Sequence, residues 1–101
     1  LIEEIQEKIK LGEYEYSRHA VDQSILREIS NEEIIAVIQS GEIIEDYPQD
    51  KYGPSCLIAG STPKGRWVHV QVSYPGRPKV KVITVYQPNP EEWINFKKRK
   101  K

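Results

Sequence analysis

Apolar positions change period once along this chain of 101 residues: up to residue 40 they recur every three or four positions, and beyond Gly41 they alternate. Ile2, Ile5 and Ile9 predict a short amphipathic helix ending at Gly12. Ser17 is placed to cap a second helix over about residues 18–28, with Ala20, Ile25 and Leu26 as its buried stripe. Ser30 and Glu33 have the spacing of a capping box, in which the hydroxyl takes a first-turn N–H and the carboxylate reaches back. A third helix then runs over about residues 31–40, burying Ile34, Ile35 and Ile38. Gly41 closes it as the residue that accepts a left-handed turn without steric cost.

Strands are predicted over about residues 43–47, 56–59, 67–73 and 80–86. In the third, Val68, Val70 and Val72 share one face and Trp67, His69 and Gln71 the other. All seven prolines lie between Pro48 and Pro90, so long helices are confined to the first half. Asn89 followed by Pro90, Glu91 and Glu92 reads as a last helix start, with Trp93 and Phe96 as anchors. The expected fold is α+β: N-terminal helices on one face of an antiparallel meander of about four strands, then a short C-terminal helix. Residues 1–96 form one domain in this reading, and residues 97–101 a basic, solvated tail.

Hydrophobic content of 38% and charged content of 30% belong to a soluble globular domain. No apolar run approaches the roughly 20 residues of a membrane helix, and Leu1-Ile2-Glu3-Glu4 is unlike a signal peptide. Cys56 is the only cysteine, which excludes an internal disulfide and a cysteine-rich zinc site. A cytoplasmic location is the expectation. The net charge of zero hides a division. Residues 1–50 hold 13 acidic and 4 basic side chains, a net −9, and residues 51–101 hold 11 basic and 2 acidic, a net +9. A basic half attracts polyanions, while an acidic half counts against wrapping nucleic acid on all sides.

Candidate chemistry rests on the two histidines, since imidazole titrates near neutral pH. His69 is expected on the sheet face that the valines leave free, between Trp67 and Gln71. There a polar, aromatic stripe is a platform for a base and a phosphate. The plainer reading makes Trp67 an edge seal and His69 a partly exposed strand residue. His19, on the first turn of the second helix, shares a helical face with Gln23 and Arg27. A histidine and an arginine there suit an anionic ligand, although Arg27 pairing with Glu28 or Glu32 is the commoner outcome. Tyr86 ends the fourth strand, its hydroxyl free to position a phosphate or its ring to fill the core rim. Arg66, Arg77, Lys79 and Lys81 decorate the basic half. No phosphate-binding glycine loop, serine elbow or metal-ligand spacing is present, and neither a cofactor nor a metal is expected.

The segments Tyr16-Ser17-Arg18-His19-Ala20, Arg27, Ile29-Ser30 and Glu32-Glu33-Ile34 resemble the bacterial family described as domain of unknown function 4258. So do Trp67-Val68-His69-Val70 and Ile83-Thr84-Val85-Tyr86 with Pro88 and Trp93, and the resemblance covers about residues 14–93. The family pattern carries arginine where Gln23 stands and glycine where Glu28 stands. That family is similar in element order to the RelE-like toxin fold, whose open sheet face cleaves RNA. The resemblance therefore implies a ribonuclease-like or toxin-derived domain, by analogy of fold.

Two functional expectations follow. In the first, the domain binds or cleaves RNA without a metal. His19 takes the 2′-hydroxyl proton, His69 protonates the leaving oxygen, and Arg27 or Lys81 stabilises developing charge. Tyr86 assists, and Trp67, Lys81, Arg66 and Gln71 hold the substrate. This needs both imidazoles at one phosphate-sized space. In the second, a non-catalytic module uses the open sheet face or an edge strand to bind a protein, such as an antitoxin-like partner or another copy.

Overall fold

The computed structural model describes residues 1–100. Three helices and a five-stranded sheet form in the order α1 (Ile2–Lys10), β1 (Tyr14–Tyr16), α2 (Arg18–Leu26), α3 (Asn31–Ser40), β2 (Glu42–Tyr47), β3 (Ser55–Ser61), β4 (Trp67–Ser73) and β5 (Val80–Tyr86). A separate hairpin, β6 (Trp93–Ile94) with β7 (Lys98–Arg99), ends the chain. The spatial order of the sheet is β1-β5-β4-β3-β2; β1 runs parallel to β5 and the other pairs are antiparallel. The fold is α+β as expected, but the sheet is mixed rather than an antiparallel meander of four.

The caps act where their residues stand. Ser17 Oγ accepts from Ala20 N at 3.0 Å and donates to the Ile83 carbonyl at 2.8 Å, so one hydroxyl starts α2 and ties it to β5. Ser30 and Glu33 form both bonds of the capping box, at 3.1 and 2.9 Å. The helices cover one sheet face, where Ile5, Ile9, Ala20, Ile34, Val37 and Ile38 meet Ile58, Val68, Val70, Val72, Val82 and Val85. Gly41 does not take a left-handed turn, having φ −88°. Its role is close approach: a Cβ there would lie 2.4 Å from the Val37 carbonyl oxygen, and one on Gly60 2.8 Å from the same atom. Two glycines thus let the end of α3 lie directly on β3.

Helix α2 departs from its expected length and stripe. Ile25 and Leu26 are 71% and 72% exposed, and only Ala20 is buried from this helix. The helix stops because Glu28 turns left-handed at φ +53°. Ile29 N then bonds the Ser24 carbonyl at 2.8 Å, and Glu28 N bonds the Ile25 carbonyl at 3.2 Å. This Schellman pattern normally uses glycine. It redirects the chain so that Ile29, rather than the last turn of α2, enters the core.

The expected C-terminal helix is replaced by the hairpin. Asn89 does act as a local cap, its Oδ1 accepting from Glu91 N at 2.9 Å, but only one turn follows. Asn95 and Phe96 both take positive φ (+52° and +62°) and reverse the chain. Lys97 to Lys100, expected as a basic, solvated tail, are exposed but lie in or beside β7, while Lys101 is outside the described residues. Among the described residues no helix is long and apolar enough to cross a membrane.

Candidate functional site

The sheet face opposite the helices presents Trp67, His69 and Gln71 from β4, as their alternation with the valines requires. That face is not bare, because the C-terminal hairpin lies across one end of it. His69 is fully buried. Its Nε2 lies 2.5 Å from the Phe96 carbonyl oxygen and its Nδ1 3.1 Å from the Tyr86 hydroxyl. A carbonyl only accepts, so Nε2 carries the proton and Nδ1 of the neutral ring accepts from the phenol. The Trp93 ring meets the imidazole edge-on, with centroids 4.5 Å apart. Burial pushes the His69 pKa below its ordinary 6.5, against the opposing effect of the Phe96 carbonyl, and burial pushes that of Tyr86 above 10.

Around this pair the hairpin is tied by side chains. Phe96 stacks on Trp67 at 5.4 Å with an interplanar angle of 13°, and Lys97 Nζ stands 5.6 Å from the Trp67 ring centre. Lys97 pairs with Glu42 at 2.9 Å and Arg99 with Glu45 at 2.8 Å, while the Arg99 guanidinium covers the Trp93 ring at 4.6 Å. Tyr47 donates to Glu45 on the same strand. Its hydroxyl is pushed up to about 12 by burial and by that carboxylate.

The remaining expected residues are dispersed. Gln71 Nε2 donates to Ser55 Oγ at 3.0 Å. His19 is exposed on the first turn of α2, a helix that packs its Ala20 into the core on the other side of the sheet. One imidazole is thus exposed, while the other is enclosed with both ring nitrogens bonded. Arg27 Nε donates to Gln23 Oε1 at 2.9 Å rather than to a carboxylate. Arg66 is a clamp on the end of α2: its Nη1 donates to the Glu28 carbonyl at 2.8 Å and its Nη2 to the Arg27 carbonyl at 2.6 Å. Its Nη1 also lies 3.8 Å from Glu33. A cation there satisfies carbonyls at the negative helix end.

Lys81 lines a cleft of about 210 Å³ at the other end of the same face, bounded by Ser17, Asp50, Tyr52, Ser73, Arg77 and Ile83. Among the described residues, neither Arg77 nor Lys81 has a carboxylate oxygen within 4.0 Å of its charged nitrogens. Asp50 is held internally, accepting from Tyr52 N and Ser55 Oγ, both at 3.3 Å. Tyr52 projects at 80% exposure. Sequence reasoning named Lys81 and Arg77 but not Ser17 or Tyr52 as their neighbours, because the β2–β3 loop that brings Tyr52 there carries no periodic signal. It likewise missed Trp93, Phe96 and Arg99 as the cover over His69.

Set against known proteins, the chain matches the family model described as Domain of unknown function (DUF4258) over residues 16–87. No curated protein matches the chain. No solved structure matches it either. The family match includes β4, β5 and the His69–Tyr86 pair and stops before the hairpin. Since it spans well over half of the sequence, the chain belongs to the family described as Domain of unknown function (DUF4258).

Proposed function

We propose that this domain binds single-stranded RNA, with phosphates held in the Arg77–Lys81 cleft. The observation that carries the reading is two cations in one cleft that have no ion-pair partner among the described residues, beside the capped N-terminus of α2 and an exposed tyrosine ring. Helix N-termini and free cations attract phosphate, and an exposed ring offers a stacking surface for an unpaired base. The charge division of the sequence agrees, since Arg77 and Lys81 come from its basic half. Cleavage by a His19–His69 pair is not part of the proposal, because His69 is fully buried with both ring nitrogens already bonded. The RelE-like kinship is retained only as a reading of element order.

The test is fluorescence anisotropy of a short single-stranded RNA titrated with wild type and with Arg77→Glu/Lys81→Glu, at two salt concentrations. Loss of at least tenfold in affinity is expected, with the salt slope reduced by about 1.4, the share of two phosphate contacts on a single strand. Equal binding by both proteins rejects the cleft.

A second reading, protein interaction, is favoured by α2. Val21, Ile25 and Leu26 expose 40%, 71% and 72% of their surface on one short helix. This is a better candidate for an antitoxin-like partner than the sheet face, which the hairpin half covers.

A further inference from the structure

We propose that the C-terminal hairpin is a strap that occupies a nucleobase platform formed by Trp67 and His69, and that RNA competes with it for that platform. The proposal rests on the RNA reading above and adds a second, covered subsite to it. Three observations lead to it. The hairpin imitates a bound base: a planar ring lies nearly parallel to Trp67, at 13°, and a carbonyl oxygen sits on the imidazole N–H at 2.5 Å. A stacked base with an exocyclic carbonyl satisfies the same two partners.

The strap is also attached as a separable piece. Among the described residues, β6 and β7 pair only with each other, and no backbone–backbone hydrogen bond joins the hairpin to the five-stranded sheet. Its ties are the Phe96 carbonyl on His69, the Trp67 and Trp93 ring contacts, an exposed Lys97–Glu42 pair, and an Arg99–Glu45 pair in which only the arginine is exposed. Exposed ion pairs hold weakly, and Phe96 sits at φ +62°, a conformation that L residues adopt at a cost. Finally, Trp67, His69 and Tyr86 all lie within the family match, which ends at residue 87, before the hairpin.

Phe96→Ala tests this without altering charge. The two tryptophans of the chain, Trp67 and Trp93, both lie at the strap contact, so acrylamide quenching of intrinsic fluorescence reads closure directly. The variant is expected to show greater quenching at unchanged circular dichroism. It should also bind single-stranded RNA about tenfold more tightly, the worth of roughly one stacked base. Adding Trp67→Ala should cancel that gain. Inorganic polyphosphate, which has no base, should bind wild type and Phe96→Ala equally. Exposed tryptophans with unchanged RNA affinity overturn the competition, and so does a gain that survives loss of Trp67. If Arg77→Glu/Lys81→Glu leaves RNA binding intact while Phe96→Ala strengthens it, the cleft falls and the strap stands. If Phe96→Ala fails to fold, native-state hydrogen exchange of the wild type decides. Amides of residues 93–99 exchanging well before those of β4 and β5 support a strap, and equal protection rejects it.

Discussion

Tyr86 and His69 face each other across β5 and β4, and the phenol oxygen lies 3.1 Å from the imidazole Nδ1. The hydrogen-bond direction fixed by the Phe96 carbonyl makes this a neutral pair in which each ring has a partner.

Acid should therefore weaken the fold through His69. The unfolded chain takes up a proton there near 6.5, whereas burial holds the folded value lower. Because the unfolded state binds the proton first, this contribution is whole above about pH 6.5. It declines as the pH falls through that value and levels off once the folded ring also protonates. Each unit of separation is worth about 1.4 kcal/mol. Melting temperatures followed from about pH 8 to pH 5 should fall in wild type. The part of that decline due to the imidazole should be missing in His69→Gln. Parallel curves for the two proteins would show that the ring is not buried neutral.

Replacing Glu28 by glycine should stabilise the domain. Glu28 holds φ +53° at the Schellman turn after α2, and a left-handed L residue costs roughly 1–2 kcal/mol. Glycine recovers part of that and loses some through its freer unfolded chain. A net gain of about 0.5–1 kcal/mol is expected, read as a rise of several degrees in melting temperature. A fall would place unseen value on the Glu28 side chain.

Gly60→Ala should act in the opposite direction. Its Cβ would lie 2.8 Å from the Val37 carbonyl oxygen and 3.2 Å from the Val37 side chain, with Gly41 as close from the third side. Moving α3 off β3 by even a fraction of an ångström disturbs Val37 and Ile38, so a loss of about 1–3 kcal/mol is expected by denaturant titration. Wild-type stability in Gly60→Ala would mean that α3 does not rest on the strand there.

On α2, Ile25→Lys with Leu26→Lys should leave stability within about 0.5 kcal/mol of wild type, because neither side chain is buried. The same pair would cost several times more had they formed the stripe that their spacing suggested. Thermal melting distinguishes the two outcomes.

These cases show where sequence is a sufficient guide. The caps at Ser17 and Ser30, and the valine face of β4, are short-range signals that nothing overrides. Ile25 and Leu26 misled because apolar spacing was counted without the turn at Glu28, whose residue type gives no hint of positive φ. Tyr14–Tyr16 is too short to show a period, and its partner β5 is remote in sequence. The hairpin was hidden because Asn89-Pro90 is a genuine helix start whose helix fails after one turn. As for the site, alternation along β4 put Trp67, His69 and Gln71 on one face, while Tyr86 was read only as the end of its strand. The chain segment that encloses His69 follows a reversal at Asn95 and Phe96, neither of them glycine.

The parallel pairing of β1 with β5 also governs the order in which the molecule assembles. Ser17 bonds the carbonyl of Ile83, 66 positions further along the chain, and Tyr14 to Tyr16 pair with Val80 to Val82. During synthesis the opening strand and the helix it launches must wait until β5 has been made. The antiparallel β2–β3–β4 unit, built from neighbours in sequence, can collect first. Folding of this domain is thus expected to start in its middle and finish by recruiting its beginning.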